Sequence, residues 1–259
     1  MKLAANITLL FQDQPLEDRP LFAAEAGFEG VEMQFPYAIP PVTWAQRLQE
    51  ARLPLVLMNL PAGDLMEGGL GLACQQDRQS AFYQAVDQAL EYIHALQPKV
   101  VNLLAGRYQA EQDPQDCLAQ LEENLHWVLE RLPAGTLLTC EPLNSFDQPR
   151  YLLATYAQWR QLAERVQHPA FRYQLDLYHA ARMGENLTDL ITLAQQDLGH
   201  IQFADVPGRG QPGTGQLDFV PLWKQLQAQG YSGWVSAEYL PQGDQHLAWQ
   251  ADFFNTCRD

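Results

Sequence analysis

Short apolar runs of strand length alternate along the chain with longer stretches in which apolar residues recur every three or four positions. The short runs fall at 3–10, 30–34, 54–59, 99–105, 136–142, 171–178, 200–206 and 233–239, and each predicts a β-strand. In 77–97, Phe82, Val86, Ala89, Ile93 and Leu96 mark one face of a helix; in 114–132, Leu118, Leu121, Leu125, Val128 and Leu132 do the same. Asp113-Pro114 opens the second stretch with an N-cap acceptor followed by proline in the first turn. Eight strand–helix alternations predict a parallel sheet, and eight units suggest closure into an α/β barrel, a (β/α)8 TIM barrel. No composition break or linker divides the chain, so one domain is expected over 1–259. An open doubly wound sheet is the alternative, but no Gly-rich dinucleotide loop follows the first strand.

Composition narrows the class. A length of 259 residues suits a barrel, which commonly takes about 250. Hydrophobic residues at 47% and charged residues at 18% fit a folded domain with a large core. The formal net charge of −15 argues against a nucleic-acid partner, whose phosphates require a basic face. Cys74, Cys117, Cys140 and Cys257 are scattered without a CxxC pair, so no disulfide framework is expected. Leu3 to Leu10 is interrupted by Asn6 and Thr8 and reads as a strand, not a signal peptide. No segment approaches the ~18 apolar residues that span a bilayer, so no membrane is expected, and a cytoplasmic location is the default. The sequence leaves a homo-oligomer open.

In a TIM barrel the chemistry sits where strands end and βα loops begin. The fifth run ends in Thr139-Cys-Glu141-Pro142, the sixth carries Gln174-Leu-Asp176-Leu-Tyr-His179, the seventh His200-Ile-Gln202-Phe-Ala-Asp205, and the eighth Trp234-Val-Ser-Ala-Glu238-Tyr239. Steps of 35, 26 and 36 residues separate Glu141, Asp176, Gln202 and Glu238, each about one βα unit, which puts four oxygen donors at similar height on neighbouring strands. Alternation along a strand supports this. Ile201 and Phe203 oppose Gln202, Val235 and Ala237 oppose Glu238, and Tyr173 and Leu175 oppose Asp176. With the bulky set packed on the helices, the donors face the barrel axis. Three carboxylates and an amide oxygen repel one another unless a cation lies among them, and hard oxygen donors suit one Mg2+ or Mn2+ ion.

Further polar residues are ranked below these. His179, three residues past Asp176, is placed to reach a substrate. Arg209 lies in the loop Gly208-Arg-Gly-Gln-Pro-Gly-Thr-Gly215 and is a candidate to bind a carboxylate, its alternative being a pair with Asp205. Asp147 and Asp205 are candidates to orient neighbours or to hold their own loops. His94, His126, His168 and His246 read as surface groups, and Glu122-Glu123 as a solvated helix face.

At these residues the chain resembles the hydroxypyruvate isomerase family, within the xylose-isomerase-like TIM barrels. The matching segments are Glu141-Pro-Leu-Asn144, Asp176-Leu-Tyr-His179, Gln202-Phe-Ala-Asp205-Val-Pro-Gly-Arg209 with Pro212-Gly-Thr-Gly215, and Gly233-Trp-Val-Ser-Ala-Glu238-Tyr239. Asn59-Leu-Pro-Ala-Gly-Asp64 and Ala4-Ala-Asn6 also match, and the likeness covers essentially the whole chain. The resemblance implies that Glu141, Asp176, Gln202 and Glu238 bind Mg2+ or Mn2+. It implies that Glu141 and Glu238 are the acid/base pair, and that His179 and Arg209 contact substrate. It implies a small anionic hydroxy-carbonyl substrate, hydroxypyruvate foremost, converted to tartronate semialdehyde through an enediolate. Gln202 favours this branch over ketose 3-epimerases, which usually place His there. A 2-oxo-tetronate isomerase, a ketose 3-epimerase, an apurinic endonuclease of the same superfamily and a non-catalytic, metal-bound sugar-acid binder are the other readings. In one loop the chain departs from the family: Gly68-Gly69-Leu70-Gly71 stands where the family pattern is Gly-Glu-Arg-Gly.

Overall fold

Each of the eight apolar runs forms a parallel strand: β1 Lys2–Asn6, β2 Gly30–Met33, β3 Leu55–Asn59, β4 Val100–Asn102, β5 Leu137–Thr139, β6 Phe171–Asp176, β7 Leu198–Phe203 and β8 Trp234–Ala237. In the computed structural model, which describes residues 1–257, they pair in sequence order and β8 closes on β1, completing a TIM barrel. The last two positions of the unit expected over 1–259 lie outside the described residues. The helices are α1 Arg19–Glu25, α2 Pro41–Ala51, α3 Gln79–Leu96, α4 Pro114–Leu129, α5 Tyr156–Val166, α6 Leu177–Arg182, α7 Leu187–Leu193, α8 Phe219–Ala228 and α9 Gln250–Cys257. Among the described residues no helix is long and apolar enough to cross a membrane.

The strands are shorter than the apolar runs that predict them, because the runs continue as buried loops. Leu103, Leu104 and Ala105 are buried yet lie past the end of β4. The run 171–178 stops at Asp176, whose side chain accepts from Tyr178 N at 2.7 Å and so caps α6. Tyr178 and His179 therefore belong to a helical turn, not to the strand. The α3 stripe holds, Phe82, Val86, Ala89, Ile93 and Leu96 all being buried. In α4 Leu121, Leu125 and Val128 are buried, but Leu118 is only half-buried and the helix stops at Leu129, short of Leu132, while Asp113 caps it by accepting from Gln115 N at 2.9 Å.

Outward strand residues such as Val31, Leu175, Ile201 and Val235 pack with Trp44, Trp159 and Trp223 to form the core between sheet and helices. The barrel axis differs from the usual layers of Val, Ile and Leu. Asn6, Glu32, Asn102, Thr139, Gln174, His200 and Gln202 fill it, none more than 2% exposed. Glu32 lies opposite Asn6 in the β1–β2 register and accepts from its Nδ2 at 3.0 Å. The same carboxylate meets His200 Nε2 at 2.8 Å and Gln202 Nε2 at 2.8 Å. From Gln202 the chain of bonds continues, Gln174 Nε2 donating to its Oε1 at 2.6 Å and Thr139 donating to Gln174 at 2.7 Å. Burial by itself pushes the Glu32 carboxyl up, but His200 and Gln202 together hold it below its ordinary value. Glu32 is thus a buried carboxylate kept ionised by neighbours from strands on both sides of the barrel.

Removing one partner of such a pair leaves the others desolvated and unbonded. We expect Glu32→Ala to cost about 3–5 kcal/mol of unfolding free energy. Urea denaturation checks this, and a loss below about 1 kcal/mol would remove Glu32 from the centre of the network.

Candidate active site

The four predicted oxygen donors converge at the C-terminal mouth of the barrel, and all four are buried. Glu141 follows β5, where its backbone N donates to Asn102 Oδ1 at 3.2 Å. Asp176 ends β6 directly opposite Gln202 of β7. Glu238 follows β8, its N donating to Phe203 O at 3.1 Å. Glu141, Gln202 and Glu238 line one cavity of about 40 Å3 together with His179, Arg209, Gln34, Asn59 and Gln148.

Burial raises both glutamates. The Glu238 carboxyl is pushed up to about 8 by burial; Arg209 pulls it down while Glu32 and Asp176 push it further up. Glu141 is raised well above its ordinary value by burial, then by Glu238 and Asp176. Two glutamates with raised values around one cavity suit proton transfer near neutral pH.

The donor set suits a divalent cation on independent grounds. Glu141 Oε1 and Asp176 Oδ2 are buried and have no hydrogen-bond partner among the described residues. Such oxygens are costly unless a cation or donor meets them. Gln202 is different, because both ends of its amide are engaged: Nε2 donates to Glu32 and Glu238, and Oε1 accepts from Gln174. Its oxygen becomes available only by a rotation that gives up Gln174 and turns an acceptor toward two carboxylates.

His179 reaches within 4.8 Å of ligand atoms on Glu141 and Asp176. Its chemistry favours a donor over a ligand. The backbone N of Asn144 donates to His179 Nδ1 at 3.0 Å, so the neutral ring carries its proton on Nε2. That nitrogen faces Asp176 Oδ2 at 3.7 Å. Burial lowers the ring to about 4, against the pull of Asp176. A neutral Nε2–H is a donor aimed into the cavity and has no lone pair for a metal.

Arg209 does not pair with Asp205. Its Nη2 lies 2.6 Å from Glu238 Oε1 and 4.0 Å from Asp176 Oδ2, and its guanidinium stands 5.3 Å from the centre of the Tyr178 ring. Asp205 instead shapes the loop, accepting from the backbone N of Val206, Gly213, Gly215 and Leu217. Gly215 sits so close to Val206 that a Cβ would come within 2.0 Å of its carbonyl oxygen. Asp147 serves in the same manner, accepting from Tyr178 Oη at 2.7 Å and Asn144 Nδ2 at 2.9 Å.

Glu32, Gln34, Gln174 and His200 support the site but were not singled out in the sequence. Glu32 stands between Val31 and Met33, so the alternation that located Gln202 and Glu238 also assigns it to the barrel axis, and His200 shares the parity of Gln202. Gln34 donates to Glu238 Oε1 at 3.0 Å. The loop that lacks the family's charged pair has its own construction. Asp64 pairs with Arg78 at 2.8 Å and accepts from Gly71 N at 2.9 Å, and a Cβ at Gly69 would fall within 2.1 Å of the Asp64 carboxyl carbon. A side chain at 69 would displace the Asp64 carboxylate from its place beside Arg78 and Gly71.

Residues 20–257 match the family described as xylose isomerase-like TIM barrel. The chain belongs to that family. Within it, the chain is 37% identical over 243 residues to the hydroxypyruvate isomerase of Escherichia coli (strain K12), covering 93% of this chain and 94% of the relative. It is 34% identical to the 2-oxo-tetronate isomerase of Pectobacterium atrosepticum, covering 96% of each. Among solved structures, one described as an AP endonuclease of family 2 from Brucella melitensis superposes with a TM-score of 0.92 at 36% identity, over 97% of this chain and 98% of that one. A D-psicose 3-epimerase shares the fold, at a TM-score of 0.80 and 17% identity. Relatives named as isomerases are thus among those this chain resembles over nearly its whole length, and this xylose isomerase-like barrel carries its polar cluster at the end where such barrels work.

For His179 we expect a neutral ring at pH 6 with the proton on Nε2. The imidazole 15N shifts check this; a charged ring or an Nδ1–H tautomer at that pH would contradict the donor role.

Proposed function

We propose that this protein is a metal-dependent aldose–ketose isomerase acting on a small hydroxy-carbonyl acid, with hydroxypyruvate and tartronate semialdehyde as the interconverted pair. The observation that carries the reading is the pair Glu141 and Glu238, both buried, both raised, around one small cavity that also holds unpartnered carboxylate oxygens. Named relatives acting on small acids support the substrate class.

Glu141, Asp176 and Glu238 would hold one Mg2+ or Mn2+ ion, and Gln202 would join them if its amide turns away from Gln174. When bound, the ion supplies Lewis acidity to the substrate's carbonyl oxygen. The chain's own groups do the rest. One glutamate, ionised, takes the proton from the carbon bearing the hydroxyl, leaving an enediolate; the hydroxyl proton passes to the neighbouring oxygen, and the other glutamate, protonated, gives its proton to the neighbouring carbon. His179 Nε2–H donates toward the oxygen on which charge develops. Arg209 has the planar fork that suits a carboxylate, and Glu238 keeps it directed into the cavity. The cavity is small, about 40 Å3, in keeping with a small acid.

A 2-oxo-tetronate isomerase is the second reading, favoured by the Pectobacterium relative. The endonuclease description of the Brucella structure fits this chain less well, since a net charge of −15 opposes the phosphate contacts that DNA binding requires.

Chelation with EDTA is expected to abolish turnover across a panel of small hydroxy-carbonyl acids, and Mg2+ or Mn2+ to restore it. Undiminished activity in metal-stripped protein would end the metal-dependent reading. Glu141→Gln and Glu238→Gln should each lower kcat by about 10²–10⁴-fold with an unchanged circular dichroism spectrum. Near-normal turnover in either variant would refute the paired-glutamate mechanism.

A further inference from the structure

Arg107, in the loop after β4, joins three loops of the catalytic face. Its Nη1 donates to Leu65 O at 2.9 Å and Gly69 O at 2.6 Å on the loop after β3, and its Nη2 donates to Gln148 Oε1 on the loop after β5. Backbone bonds reinforce the junction: Arg107 N to Leu70 O at 2.9 Å, Tyr108 N to Arg150 O at 3.2 Å and Leu152 N to Gly106 O at 2.9 Å. Every hydrogen-bond partner of the guanidinium is a neutral oxygen. Asp64, the acid of the adjoining loop, is taken by Arg78. Arg107 thus brings a positive charge to the cavity's edge and makes no ion pair among the described residues, unlike Arg209, which shares its charge with Glu238.

Gln148 lines the cavity with His179 and Arg209. Its Oε1 is held by Arg107, and its Nε2 has no partner among the described residues. Turning the amide over would set an N–H against the guanidinium, donor against donor, so Nε2 is fixed as the free end. A cation bonded to the amide oxygen polarises the amide and makes that N–H a stronger donor toward an anion. Gln148, His179 and Arg209 follow the successive strands β5, β6 and β7, so three donors form an arc on one side of the cavity.

We propose that Gln148 is a specificity-determining residue that donates from Nε2 to the carboxylate of the substrate, with Arg107 as the positioning residue that orients it. The proposal rests on the small-acid reading given above. It names a carboxylate contact supplied by an uncharged side chain and backed by the half-buried charge of Arg107.

The test compares wild type, Gln148→Leu, Gln148→Glu and Arg107→Met on hydroxypyruvate and on dihydroxyacetone, its neutral analogue with CH2OH in place of the carboxylate. Steady-state kinetics are paired with calorimetric titration of hydroxypyruvate into the Mg2+-loaded protein. Gln148→Leu should raise KM and Kd for the acid about tenfold with kcat little changed, as for loss of one charge-assisted hydrogen bond. Gln148→Glu keeps the shape and the Arg107 bond but presents an anion, so it should weaken the acid more than Gln148→Leu does, and weaken the acid more than the neutral analogue. A merely structural Gln148 predicts the reverse order, with the near-isosteric Glu variant the milder. Arg107→Met should resemble Gln148→Leu. If Gln148→Glu and Gln148→Leu bind and turn over the acid like wild type, the Gln148 proposal falls and the isomerase reading stands. If wild type binds the acid without turnover and Gln148→Glu abolishes binding, the isomerase reading falls and the carboxylate contact stands. Failure of wild type to bind the acid overturns both.

Discussion

A carboxylate enclosed on the axis of a barrel must be met from several strands at once, and Glu32 is met by Asn6, His200 and Gln202. Ionised, it needs all of them, because a buried charge is costly unless paired and hydrogen-bonded. β1, β2 and β7 are thereby tied to a common centre that apolar packing alone does not specify. The active cluster inherits its geometry from this centre. Gln202 presents Nε2 to Glu238 because its other bonds, to Glu32 and Gln174, fix the amide, and Glu238 in turn aligns Arg209. The polar axis is the support on which the mouth of the barrel is built.

Opposed effects decide the behaviour of the mouth itself. Burial drives Glu141 and Glu238 toward the protonated form, while Arg209 pulls both in the opposite direction. Glu238 and Asp176 push Glu141 further up, and Glu32 and Asp176 do the same to Glu238, so a cation placed among them is stabilised by several carboxylate oxygens together. His179 is subject to the same burial with the opposite result, being held neutral. One cavity therefore contains raised acids, a neutral donor and a permanent cation, each set by the same low-dielectric surroundings acting on a different functional group.

Much of this was legible in the chain. Period-two and period-3.6 patterning named eight strands and two of the helices, because burial of one face is what folds them. Spacing and parity brought Glu141, Asp176, Gln202 and Glu238 to one level, since each βα unit adds a similar length. Boundaries were less legible. β6 ends at Asp176 because that side chain bonds the next helical turn, an event invisible to hydrophobic periodicity. The partner of Arg209 was equally hidden: Asp205 is near in sequence, yet four backbone amides claim it, whereas Glu238 lies 29 residues away and faces the same cavity. Glu32 and His200 carried the right parity, but isolated polar residues in apolar runs have no stated partner until the barrel closes.

The loop from 205 to 215 illustrates how a shape and its cargo can be separated. Asp205 supplies the fold of the loop through amides that every residue possesses, and Gly215 supplies the clearance. Arg209 takes no part in those bonds through its side chain. Position 209 is consequently a socket: the loop's bonds do not depend on its side chain, and what limits an exchange there is the left-handed backbone, φ 54°, and the buried Glu238 that a new group must face. New substrate preferences in barrels built this way can arise by single replacements at such sockets, without relearning how to fold the loop.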